Sequence, residues 1–157
     1  MSRITKLVAV GVAAALVLAA CGTSAAPAAG KRVVHMSAVE YKGSTEVAKE
    51  PFPAAPVPEG DGYRLKEPVD GKWETSTYRW EPGQVIVYQG DQVELHIWGV
   101  NGAEHPSTIE GYDRAFTVKR GQLTTVSFTA DRAGIFRIIC PVHDPSMTGT
   151  LIVLPRT

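Results

Sequence analysis

The sequence predicts an all-β domain, an antiparallel sandwich or barrel, and three observations carry that prediction. From Trp73 onward, short runs of β-branched and aromatic residues are separated by turn signals such as Gly90-Asp91. The segment Gln92–Val100 alternates: Val93, Leu95 and Ile97 face one way, Glu94, His96 and Trp98 the other. No stretch of this region holds a convincing helical period. A chain of 157 residues with 15 Gly and 11 Pro suits one domain with many turns.

Taken in order, Val33–Tyr41 reads as a first strand with Val33, Val39 and Tyr41 on one side. Residues 43–72 hold Pro51, Pro53, Pro56, Pro58 and Pro68 among glycines and charges, and are expected to form a long surface connection. Thr75–Trp80 is short and aromatic, and Val85–Tyr88 is β-branched. After the alternating segment come Ala115–Lys119, Thr124–Ala130 with Val126 and Phe128 on one face, Ile135–Cys140 opened by Gly134, and Thr150–Leu154. No internal repeat is visible.

The first twenty residues have the layout of a secretory signal. Arg3 and Lys6 precede an apolar run, Leu7–Ala20, that is too short to span a bilayer as a mature helix. The run ends Leu18-Ala19-Ala20-Cys21, which resembles the bacterial lipobox, in which the cysteine is acylated and becomes the new N-terminus. Residues 1–20 are thus expected to be a lipoprotein signal peptide. Residues 21–30 are expected to be a lipid-anchored tether of small residues, and 31–157 the folded domain. The expected location is the periplasmic or extracellular side of a membrane.

Charge and cysteine usage narrow the function. The 16 basic and 16 acidic side chains leave no cationic excess for nucleic acid. Loss of Arg3 and Lys6 with the signal makes the mature chain slightly acidic. With Cys21 committed to lipid, Cys140 is the single thiol of an exported domain, where thiols are usually paired. An unpaired thiol there is either buried and inert or bound to something.

The segment Cys140-Pro141-Val142-His143-Asp144-Pro145-Ser146-Met147 places a thiol, an imidazole and a thioether on the loop between the last two predicted strands. His105 lies on the loop after the alternating strand. One thiolate, two imidazoles and a weak thioether are the ligand set of a blue-copper electron-transfer site. Soft sulfur favours Cu(I) and nitrogen favours Cu(II), so a fixed compromise geometry reduces reorganisation when an electron moves. His105, Cys140, His143 and Met147 are therefore the candidate ligands of one copper ion.

The stretch Phe128-Thr129-Ala130-Asp131-Arg132-Ala133-Gly134-Ile135-Phe136-Arg137-Ile138-Ile139-Cys140, followed by Thr148-Gly149-Thr150-Leu151, resembles the cupredoxins. The resemblance covers roughly residues 80–154. It is greatest to nitrosocyanin and to the copper domains of nitrous-oxide reductase and cytochrome c oxidase subunit II. It implies a Greek-key β-sandwich. Binuclear domains of the oxidase type carry a second cysteine, but Phe136 and Asp144 stand four residues either side of Cys140, so the implied site is mononuclear. Nitrosocyanin has a glutamate in the position of His105 and a histidine in that of Met147. Glu104 precedes His105, so a slip of one residue would restore a carboxylate ligand.

The other histidines have plainer readings. His96, beside Glu94 and Trp98, is expected to be a solvated surface residue, and His35 an exposed one that samples copper only transiently with Met36. Trp80 and Trp98 read as packing or edge aromatics. Pro141 and Pro106 lack N–H groups, which leaves Val142 as the backbone donor nearest the Cys140 sulfur and Ser107 or Asn101 to tie the ligand loops.

These readings make the chain a membrane-anchored one-electron carrier rather than an enzyme. Four histidines are too few for a multinuclear oxidase cluster. The alternatives are a copper-delivery or copper-buffering lipoprotein and a red-copper protein with an open coordination position. The expected partner is a redox protein such as a cytochrome. It would dock on an apolar rim around a solvent-facing His143 edge, with Glu104 and Asp144 adding mild preference for a cationic surface.

Overall fold

Alternating apolar residues from many short segments are buried together in one core. Met36 and Ala38, Trp80, Val85 and Val87, Val93, Leu95 and Ile97, Val126 and Phe128, Ile138, and Leu151 and Val153 all point into it. The computed structural model describes residues 27–156, so the expected signal peptide, the expected lipidation at Cys21 and most of the expected tether lie outside the described residues. Within them the chain forms β1 (Lys31–Glu46), β2 (Tyr63–Val69), β3 (Lys72–Glu81), β4 (Gln84–Tyr88) and β5 (Gln92–Gly99). It continues through β6 (Glu104–Ile109), β7 (Arg114–Lys119), β8 (Leu123–Thr129), β9 (Gly134–Ile139) and β10 (Thr148–Leu154). A short 3₁₀ turn over Pro141–His143 joins the last two strands.

The strands make a two-sheet sandwich, with order β2-β3-β1-β5-β8 in the first sheet and β4-β10-β9-β6-β7 in the second. Each sheet contains one parallel pair, β1 with β5 and β10 with β4, so the sheets are mixed rather than wholly antiparallel. Alternation reports which residues share a face; it does not report the direction of the neighbouring strand.

Two strands depart from the sequence reading. β2 lies inside the stretch expected to be a surface connection, and β1 also runs on into that stretch to Glu46. Every β2 residue except Leu65 is exposed, so no apolar alternation marks it. It is held by its antiparallel pairing to β3, with a register shift between Lys66 and Val69. Its charges and Pro68 suit a sheet edge. β6 was expected to be a loop. Its inward positions are His105, Ser107 and Ile109, two of them polar, and Pro106 argues against a strand. In β1 the face carrying Val33, Val39 and Tyr41 is the outer one, while Met36 and Ala38 face the core.

Candidate metal centre

The site forms where the second sheet opens. β6 pairs with β7 along its whole length, but with β9 only at Thr108↔Ile139 and Ile109↔Ile138. Beyond that two-pair ladder the strands part, with His105 on one side and Cys140 on the other. Strand alternation then decides between neighbours. His105 is fully buried, whereas Glu104 is exposed on the opposite face, across from Lys119.

The loop Cys140–Met147 is closed by three backbone hydrogen bonds. His143 N–H donates to the Cys140 carbonyl (3.0 Å), Met147 N–H to the His143 carbonyl (3.0 Å), and Cys140 N–H to the Met147 carbonyl (3.1 Å). Pro141 at the start of the 3₁₀ turn has its φ pre-set and no donor to lose. The result turns His143 back over Cys140.

The ligand atoms of His105, Cys140 and His143 lie within 4.8 Å of one another, and all three residues are buried. The two Nδ1 atoms are 3.2 Å apart, and Cys140 Sγ is 3.4 Å from His143 Nδ1. His105 Nε2 is 3.0 Å from the carbonyl oxygen of Asn101. A carbonyl only accepts, so Nε2 carries the proton and Nδ1 presents a lone pair to the cluster. Burial pushes the Cys140 thiol up, against the lowering effect of the His143 and Val142 backbone N–H groups and the Ser107 hydroxyl. Burial also pushes His143 down, helped by His105, so its ring stays neutral and able to ligate. Val142 is thus among the groups that lower the thiol, while of the two residues expected to tie the ligand loops Ser107 donates its hydroxyl to the His105 carbonyl and the Asn101 carbonyl accepts from His105 Nε2.

Met147 is fully buried in the same core cluster as Cys140 and is tied through its backbone to both Cys140 and His143. Trp80 is buried as a packing aromatic, edge-on to His105 at 6.5 Å between centroids, and Trp98 is half-exposed at the surface.

His143 does not present a free ring edge to solvent; it is only 6% exposed. The Tyr78 ring stacks on it, with centroids 3.7 Å apart and planes at 23°. The connection expected to be mere surface also lies over the ligand loop. Gly62 N–H donates to the Asp144 carbonyl, and the Ser146 hydroxyl donates to the Gly62 carbonyl at 2.6 Å. A Cβ on Gly62 would sit 2.5 Å from the His143 carbonyl, so only glycine allows this approach. Arg64 lies 5.8 Å from the Tyr78 centroid. Burial, then Glu40, raise the Tyr78 phenol. Asn101 joins this layer to His105: its side chain exchanges hydrogen bonds with the Glu40 backbone while its carbonyl holds Nε2.

Tyr78 was thus missed by the sequence reading. Its only signal was an aromatic at an inward position of a short strand, which is equally the signal of ordinary core.

No protein-family model matches the chain, and no curated protein matches it. Among solved structures, a copper nitrite reductase from Nitrosomonas europaea superposes with a TM-score of 0.51 and 20% identity, over 80% of this chain and 42% of that one. The multicopper oxidase mgLAC gives 0.51 and 17%, over 82% and 40%. The fold is cupredoxin-like. This chain spans about two fifths of the length of both proteins. Auracyanin A, a blue copper protein from Chloroflexus aurantiacus, is similar over 48% of this chain and 88% of its own, at 18% identity and a TM-score of 0.41. In the cupredoxin-like sandwich described above, the loop between the last two strands and one interior strand of the same sheet supply the three converging side chains.

Proposed function

We propose that the chain is an exported, lipid-anchored protein that holds one copper ion and passes single electrons to and from a redox protein. The observation that carries this reading is the buried convergence of His105 Nδ1, His143 Nδ1 and Cys140 Sγ on one point. One soft sulfur and two imidazole nitrogens fit a metal that alternates between Cu(I) and Cu(II). Copper bound there would supply a one-electron couple. The protein's part is to hold the donors still. His105 is locked by the Asn101 carbonyl, His143 by the Tyr78 stack, and Cys140 by the closed loop. Met147 is the proposed fourth, weak ligand, and the backbone N–H groups of His143 and Val142, which oppose the effect of burial on the Cys140 thiol, favour its thiolate.

The burial of all three donor residues supports a carrier over an enzyme with a solvent-open coordination position. It also changes the proposed route to a partner. With His143 covered, the docking rim is built on Val142, which is 48% exposed, and on the exposed Pro141. Glu104 and Asp144 are exposed, as a mild preference for a cationic partner such as a cytochrome requires.

Copper-loaded protein should absorb strongly in the visible and bleach reversibly with reductant, and Cys140→Ser should abolish that band because the thiolate is the charge-transfer donor. A colourless protein holding Cu(I), or one that takes only zinc, would overturn the carrier reading. His105→Ala should weaken Cu(II) binding while Glu104→Gln does not. Met147→Leu should keep copper and shift the potential. Cys21→Ser should release the protein from membranes without altering the spectrum.

A further inference from the structure

The four histidines of the chain fall into two pairs. One is His105 with His143. The other is His35 with His96, on the outer face of the first sheet. β1 and β5 run parallel with His35 opposite His96, so both side chains leave the sheet on the same side. Their ring centroids are 5.3 Å apart, with planes at 85°. Glu94 precedes His96 by two residues and therefore shares this face. Its Oε2 is 3.2 Å from His96 Nε2, and its Oε1 is 2.8 Å from Lys31 Nζ. His35 is exposed, and His96 partly so. Met36 takes no part: it points to the other face, into the core.

We propose that His35, His96 and Glu94 form a second, surface site for a divalent transition-metal ion of the Zn(II) or Cu(II) class. Imidazole is a preferred ligand of both metals. Adjacent strands hold the two β-carbons at a separation that lets both rings turn one nitrogen toward a common ion. The exposed His35 ring is free to make that turn. Glu94 is already aligned on His96 and supplies a third donor of negative charge, exchanging Lys31 for the metal. Water completes the coordination, so the ion exchanges readily. The ladder through β1, β5 and β8 pre-organises the site, since His96 is also fixed opposite Thr125. This site lies on the solvent side of the first sheet, whereas Cys140 lies in the core, so the two bind independently.

The test is a calorimetric titration of the full chain with Zn(II) at neutral pH, alongside His35→Ala, His96→Ala, Glu94→Gln and Cys140→Ser. The unaltered chain should take up one zinc more than His35→Ala or His96→Ala, and Glu94→Gln should weaken that zinc about tenfold. Cys140→Ser should retain it, and zinc should shift the His35 and His96 ring resonances in that variant. A thermal melt of each variant confirms folding. Equal zinc uptake and affinity in the unaltered chain, His35→Ala and His96→Ala would overturn the proposal, as would unmoved His35 and His96 resonances. Loss of the Cys140-dependent zinc alone bears on the copper site and leaves this one standing.

Discussion

Asp91 is fully buried beside a turn, yet it is charged. Burial pushes its carboxyl up, but the Tyr88 and Gly30 backbone N–H groups and the Arg32 guanidinium more than reverse this, holding it below its ordinary 3.8. Arg156 adds an ion pair at 2.7 Å. A depressed folded-state pKa contributes stability that is fully present above the unfolded value and is lost as pH falls through the folded one. Asp91→Ala should therefore cost about 2 kcal/mol near neutrality, because it leaves the Gly30 and Tyr88 N–H groups without their acceptor and two partly exposed guanidiniums without their partner. The difference in melting temperature between Asp91→Asn and the unaltered chain should shrink as pH drops below 3.8. A constant difference across that range would show that the carboxylate charge is not what the site uses. At the metal centre, Tyr78→Ala should cost about 3 kcal/mol and uncover His143. Faster modification of His143 by diethylpyrocarbonate in the metal-free protein is the measurement; an unchanged rate would mean that something else covers the ring. Gly90-Asp91 was legible as a turn, but the second role of Asp91 was not, since its partners come from residues about sixty positions away in either direction.

At the scale of elements, the short ladder between β6 and β9 creates the space that the His105 and Cys140 side chains fill. A full-length ladder would close the sheet where His105 and Cys140 now face each other. β6 escaped the sequence reading because two of its three inward residues are an imidazole and a hydroxyl rather than hydrocarbon, so the apolar alternation that announces a strand is missing. β2 escaped for the opposite reason, having almost no buried side chain to pattern. The segment before it is nevertheless tied to the site at Gly62. Gly62→Ala should cost about 2 kcal/mol through overpacking against the His143 carbonyl and Ser146. Because the strain falls on the ligand loop, the same substitution should shift the visible spectrum of the copper-loaded protein. An unshifted spectrum with normal stability would show that the segment can lift away without disturbing the ligands.

For the whole molecule, the sandwich separates a rigid interior from a nearly neutral exterior. Sixteen basic and sixteen acidic groups give no strong long-range field. Association with a redox partner should show only modest dependence on ionic strength, while Val142→Lys should slow electron transfer without changing the spectrum. Stopped-flow mixing over a salt series tests both; a steep salt dependence with no effect of Val142→Lys would place docking on another face. The outer surface of the first sheet is one such face, and it carries the His35–His96 pair.

The sequence by itself determined the fold class, the strands with clean alternation, and the set of donor types. Alternation and turn residues are local properties, and a Cys, a His and a Met within eight residues on one inter-strand loop is a local signature too. The same local reasoning also pointed to His105, which the structure brings together with Cys140 and His143. Only the tertiary structure decided strand direction, the existence of β2 and β6, and the burial of His143 beneath Tyr78. It alone decided that His35 meets His96. Each of these depends on which strands lie side by side, and that is set by long-range pairing and packing rather than by the residues on either side in the chain.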